Sequence, residues 1–173
     1  MPRQLLRTTV LSESHPLIYQ GVRAPASFRQ LEQVIASRLG RDAALLFSEP
    51  VFDSGRDTIS WYTSLEGEAV ALSSLYESGQ AGAREEIGRR ARELRDLAGS
   101  LKNSSDSNSQ MAGTLLEMAL TFSDSEAVFV LKGRPVVTGW GLVPGNPAVE
   151  AVPVTVKTIR LLDGFVQSDP LPE

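Results

Sequence analysis

The one histidine of this 173-residue chain, His15, lies in Leu-Ser-Glu-Ser-His-Pro beside two hydroxyls, Ser12 and Ser14. A histidine next to a serine is the beginning of nucleophilic catalysis, because the imidazole can take the hydroxyl proton as the oxygen attacks. Adjacent serines in an N-terminal loop ordinarily carry no chemistry, and the stretch reads as a loop. Two carboxylates, Asp124 and Glu126, stand close together in Ser-Asp-Ser-Glu-Ala. The surrounding Ser123, Asp124 and Ser125 fit a turn from helix to strand better than an acid–base pair. No set of His, Asp and Glu falls at metal-ligand spacing. The absence of cysteine removes disulfides, thiolate nucleophiles and cysteine metal sites.

Residues 128–147, VFVLKGRPVVTGWGLVPGNP, hold four glycines and three prolines. Such density can cradle a phosphate or turn one strand back on another. A phosphate loop needs a Gly-Lys-Ser or Gly-Lys-Thr end that opens a helix, and a dinucleotide fingerprint needs a helix at its third glycine. Pro144 and Pro147 stand where that helix would start. Val128–Leu131 instead predicts an apolar, central strand, Lys132–Pro135 a turn, and Val136–Leu142 the return strand of a hairpin. Gly139 and Gly141 flank Trp140 and predict a bulge or a close backbone approach. The alternation puts Thr138, Trp140 and Leu142 on one face, with Trp140 buried against a helix at Leu94 or Leu115.

The elements that must position these residues follow from periodicity. Phe28, Leu31, Ile35 and Leu39 recur at helical spacing between a capping Ser27 and Gly40. Asp42–Phe47 is a short apolar run and predicts a buried strand. Phe52–Asp57 is turn chemistry, Thr58–Ser64 a strand rich in β-branched and aromatic residues, and Glu68–Leu72 its next neighbour in a meander. From Ala81 to Leu101 the period changes, with Ile87, Ala91, Leu94, Ala98 and Leu101 on one stripe. The opposite face interleaves Arg84, Arg89, Arg90, Arg92 and Arg95 with Glu85, Glu86, Glu93 and Asp96, which predicts a solvated face of i,i+4 pairs rather than an anion site. Lys102–Gln110 reads as a polar, mobile connection. Met111–Phe122 resumes helical spacing behind a cap at Asn108 or Ser109.

Size and composition allow one soluble domain with a substantial core: 42% of residues are hydrophobic and 22% charged. A net charge of −4 leaves no electrostatic footprint for nucleic acid or anionic membrane. No run reaches the roughly 18 apolar residues of a membrane span. Residues 1–145 read as a single α+β domain, an antiparallel sheet of about five strands with about three helices. Residues 146–173 read as a Pro-punctuated edge strand, with Val152, Val154 and Val156 alternating, or as a linker and tail.

Asp57–Val70, DTISWYTSLEGEAV, and Ala127–Leu142, AVFVLKGRPVVTGWGL, carry a further pattern. A strand ending in Trp61-Tyr62, followed by a strand pair of the form G-[KR]-P-V-[LV]-x-x-W-G, resembles the N-terminal region of SrfA-type bacterial virulence-associated envelope proteins. Gly139 stands where that family more often has a bulkier residue. The resemblance covers about residues 25–145. It implies a cytoplasmic domain followed by a proline-rich linker and a membrane helix, with SrfB- and SrfC-type neighbours as partners, and it carries over no catalytic residue and no cofactor. This chain ends before any such helix, as a piece of a longer protein tethered to the inner membrane or as a stand-alone relative. The reading is a non-catalytic interaction or assembly domain that docks proteins on the cytoplasmic side. The alternative is a small-ligand sensor whose sheet and helices enclose an apolar pocket lined by Trp61, Tyr62 and Trp140, with Gly139 and Gly141 giving close backbone approach.

Overall fold

A computed structural model describes residues 3–122, 126–144 and 160–161. The protein is α+β; the described residues form four α-helices and antiparallel sheets of two or three strands. The paired carboxylates (through Asp124) and the proposed strand at Val152–Val156 lie outside the described residues.

The first helix, α1 (Phe28–Leu39), runs where its apolar spacing places it, burying Phe28, Leu31 and Ile35. Ser27 precedes it, but its hydroxyl donates to the Ala24 carbonyl at 2.6 Å rather than accepting from the helix start. Gly40 ends it at φ 100°, a conformation that favours glycine. The run Asp42–Phe47 is not a strand. Its first half is a helical turn, α2 (Arg41–Ala44), and only Phe47 forms an isolated bridge, to Val137. A short apolar run has no period with which to separate the two outcomes.

The long helix α3 (Glu77–Lys102) buries the predicted stripe from Ile87 to Leu101. The polar segment behind it is half helical already: α4 (Ser107–Ala119) begins inside it, and the connection shrinks to Asn103–Asp106. Asp106, not Asn108 or Ser109, is the cap, accepting from the Ser109 N–H at 3.2 Å. α4 packs back along α3. At Gly113 an added Cβ would stand 2.7 Å from the Ala98 carbonyl oxygen and 2.8 Å from the Lys102 nitrogen, so only glycine lets the helices approach this closely.

The strands are antiparallel as expected, but divide into sheets of two or three rather than one sheet of about five. β1 (Gln4–Val10), β5 (Glu49–Asp53) and β6 (Thr58–Thr63) form one, with β6 in the centre. β7 (Ala69–Ala71) does not follow β6 in that sheet; it pairs with β9 (Val128–Leu131), which is the centre of a second sheet completed by β10 (Arg134–Val137). Lys132 (φ 49°) and Gly133 (φ 82°) make the two-residue β9–β10 turn with left-handed dihedrals at both positions. Gln20 and Gly21 do the same between β3 (Ile18–Tyr19) and β4 (Val22–Arg23). β2 (Ser14–Pro16) pairs with β11 (Leu142–Pro144), and β8 (Thr121–Phe122) with β12 (Arg160–Leu161).

The return strand stops at Val137, because Gly139 (φ 66°) and Gly141 (φ 76°) turn the chain out of the sheet. Val137–Leu142 becomes a strap laced to distant segments. The Val137 N–H donates to Leu46, Thr138 to Ala127 and Gly141 to Thr121, while the Gly141 carbonyl accepts from Leu17. A Cβ on Gly141 would lie 3.1 Å from Ala24 Cβ and Pro25 Cδ, which is the close approach expected there. The strap closes one continuous core that contains Trp61, Trp140, the α1 and α4 stripes and most of α3's.

Candidate interaction surface

Alternation along β6 sends Ile59, Trp61 and Thr63 into the core and leaves Thr58, Ser60 and Tyr62 on the outer face. The ladder registers carry this division to both neighbours. Tyr62 stands between Leu5 and Glu49, Ser60 between Thr8 and Val51, and Thr58 between Val10 and Asp53. Leu5, Val10 and Val51 are 51%, 42% and 37% exposed, so three of the five large exposed apolar side chains among the described residues share this face. The small hydroxyls of Thr58 and Ser60 run along its centre, Thr8 and Ser60 being joined at 3.1 Å. One aliphatic side chain flanks each, Val10 beside Thr58 and Val51 beside Ser60, with Asp53 and Thr8 on the opposite sides. The result is a shallow trough three strands wide.

Both edges of the sheet resist strand addition. β1 carries a register shift between Leu5 and Arg7, a bulge that leaves Leu6 extra. β5 carries Pro50, which has no N–H to offer a new neighbour.

Charge collects at the two ends of the trough. Arg3 lies over the Tyr62 ring at 4.7 Å and meets Glu49 at 2.9 Å. Arg29 reaches the same carboxylate at 2.8 Å from α1. At the hairpin end Arg56 stands 4.0 Å from Asp53. Each of these guanidinium side chains is more exposed than the carboxylate it meets here: Arg29 is 74% exposed against 20% for Glu49, and Arg56 84% against 51% for Asp53.

The residues singled out in the sequence divide between this surface and the core. Tyr62 is in the trough. Trp61 and Trp140 are fully buried, their ring centroids 5.7 Å apart, with Phe47 at 5.2 Å and Phe28 at 6.1 Å from Trp140. Each indole N–H is satisfied, Trp61 donating to Thr9 Oγ1 and Trp140 to the Ser48 carbonyl, both at 2.9 Å. These aromatics fill the core against one another, with Tyr62 facing the other side of the sheet. Gly139 and Gly141 shape the strap. Leu5, Val10 and Val51 were invisible in the sequence as a site, because their common face appears only once the ladder registers are known.

His15 is a strand residue, paired with Val143, rather than part of a loop. Ser14, its neighbour, points to the opposite face, so the two do not converge. On α3 the mixed charges form the expected ladder, in which Glu86 and Glu93 each pair with Arg89 and Arg90. The hydrogen bond and charge of Glu86 hold the Arg89 guanidinium above its usual pKa. Among the described residues no three His, Asp or Glu side chains cluster to hold a metal, and no helix is long and apolar enough to cross a membrane. A groove of about 250 Å³ between α1 and α2, lined by Glu32, Gln33, Ala36, Arg41, Ala44 and Leu45, is open to solvent and contains none of the singled-out aromatics. No family model, curated protein or solved structure matches the chain.

Proposed function

We propose that this chain is a non-catalytic interaction domain that docks a partner protein on the outer face of the β1–β6–β5 sheet. The observation that carries the reading is the gathering of Leu5, Val10, Val51 and Tyr62 on one face while the opposite face builds the core. Apolar side chains grouped on a polar-rimmed face, rather than scattered singly, are the mark of a binding surface. The Trp61-Tyr62 and Lys132–Gly141 segments supply the context through their likeness to SrfA-type envelope proteins. In that context the partners are SrfB- or SrfC-type neighbours, met on the cytoplasmic side of a bacterial envelope.

The test is co-expression with those neighbours, using wild-type chain and the pair Leu5→Asp with Val51→Asp. Both positions are solvent-facing, so the variant keeps its circular dichroism spectrum and its melting temperature to within a few degrees. Loss of a co-purified partner by this variant alone supports the reading. Partner capture that survives the double substitution overturns it.

A further inference from the structure

We propose that the edge of β7 takes an extended strand of a partner protein, at a site separate from the outer face described above. The registers decide which backbone groups are available there. The Val137 N–H donates to the Leu46 carbonyl and the Val137 carbonyl accepts from Ser48, both away from β9. Alternation along β10 turns Pro135 the same way, and turns Arg134 and Val136 toward Leu131 and Phe129 of β9. Val128 and Val130 therefore face β7, and Val70 and Val130 exchange both of their hydrogen bonds.

Ala69 and Ala71 then point outward. The Ala71 carbonyl opens the 3-10 turn Leu72–Ser74, whose cap it is. The Ala69 N–H, the Ala69 carbonyl and the Ala71 N–H are left, and nothing among the described residues bonds to them. The other edges of the two three-stranded sheets are blunted. β1 is bulged, β5 has Pro50, and β10 has Pro135 beside the already bonded Val137. β7 has neither proline nor bulge.

Two donors and one acceptor at ladder spacing are the complement of a strand's main chain. Val70 is half-buried on the same face as the buried Val128 and Val130, which selects a β-branched apolar residue opposite it. A second copy's β7 does not meet these groups. Paired about Val70, it offers Ala69 the occupied Ala71 carbonyl. Paired about Ala69, it needs Gly67, which leaves the strand at φ 113° and whose carbonyl already accepts from Gln4 at 2.9 Å. A free extended segment satisfies all three groups.

Two synthetic peptides of about eight residues, alternating valine and threonine, test this. One is N-methylated at each valine, which keeps one bonding edge; the other is N-methylated throughout and has none. They are titrated into the isotope-labelled chain and followed by amide chemical shifts. The half-methylated peptide is expected to move the Ala69 and Ala71 amide protons downfield, saturably, with Val70 the least changed of the three. The fully methylated one should bind at least tenfold more weakly. Ala71→Pro removes only an edge N–H, because Ala71 already lies at φ −61°. It should melt within a few degrees of wild type and lose at least tenfold in affinity, whereas Leu5→Asp with Val51→Asp should bind unchanged. Equal binding of the two peptides, wild-type affinity in Ala71→Pro, the largest shift at Val70, or no saturation overturns the inference. So do Ala69 and Ala71 amides that exchange with solvent as slowly as Val70 in the free chain, since the edge is then already filled. Self-association that Ala71→Pro removes also overturns it, because a second copy is then the occupant.

Discussion

The indoles of Trp61 and Trp140 meet edge to face, 5.7 Å apart at 60°, although one belongs to a sheet strand and the other to the strap that leaves a different sheet. Each is locked by a hydrogen bond to a separate segment, Thr9 and Ser48. This pair joins the two sheets at the centre of the core. Aromatic pairs in that geometry add about 0.5–1.5 kcal/mol beyond the area they bury.

Trp140→Ala is therefore expected to cost about 3–5 kcal/mol, a large part of a domain's total stability. Thermal melting should show a midpoint lowered by many degrees, or the variant should be insoluble. Trp140→Phe keeps a ring but strips the N–H from the Ser48 carbonyl, and should cost about 1–3 kcal/mol. A Trp140→Ala protein that melts like wild type would contradict the core assignment.

Since both tryptophans of the chain are fully buried, its fluorescence is a direct fold probe. Native emission should be blue-shifted and poorly quenched by iodide, moving red in one step with the loss of circular dichroism. Native emission at the position of free tryptophan would show that one indole is solvated.

Two glycines on the helical pair should respond with opposite signs. Gly99 has nothing within 4 Å of an added Cβ, so Gly99→Ala gains helix propensity and should stabilise by roughly 0.5–1 kcal/mol. Gly113 has backbone of α3 within 3.0 Å, and Gly113→Ala must push the helices apart. Urea denaturation should report a loss exceeding that same propensity gain, on the order of 1–3 kcal/mol. Equal responses at the two positions would mean that α3 and α4 do not cross at Gly113.

Asp106→Ala removes the cap of α4 and should cost about 0.5–2 kcal/mol, whereas Asn108→Ala should fall within about 0.5 kcal/mol of wild type. The comparison decides where α4 begins. It also bears on proteolysis: cleavage should concentrate in Asn103–Asp106 and spare Ser107–Gln110.

The misread residues share a physical cause. α1 and the α3 stripe were legible because a long 3.6-residue period has no rival interpretation. Asp42–Phe47 was not, because six residues hold too little period to exclude a helical turn. β1 went unread because the adjacent Leu5 and Leu6 break the alternation that announces a strand, and the bulge that accommodates them shows only in the register. Ser107, Asn108 and Ser109 are poor helix formers recruited by the Asp106 cap and by the packing of the residues that follow. Val136–Leu142 looked like one strand because residue types do not reveal where Gly139 and Gly141 adopt positive φ. The trough was the least legible feature. Its apolar members sit on three strands, and no single segment displays them together.

The strap also fixes when the core can close. Trp140 reaches the Ser48 carbonyl across 92 positions, and Ser48 reaches the Val137 carbonyl across 89. Contacts so distant in sequence make for slow, late-closing folding. On the ribosome Trp61 emerges roughly eighty residues ahead of the residue that covers it, on the order of 4–16 s at ordinary elongation rates. Throughout that interval the inner face of β6 has no lid, and the nascent chain presents it to any chaperone within reach. A chain cut after Val136 would keep its helices' sequences and most of its strands, yet remain open at the centre.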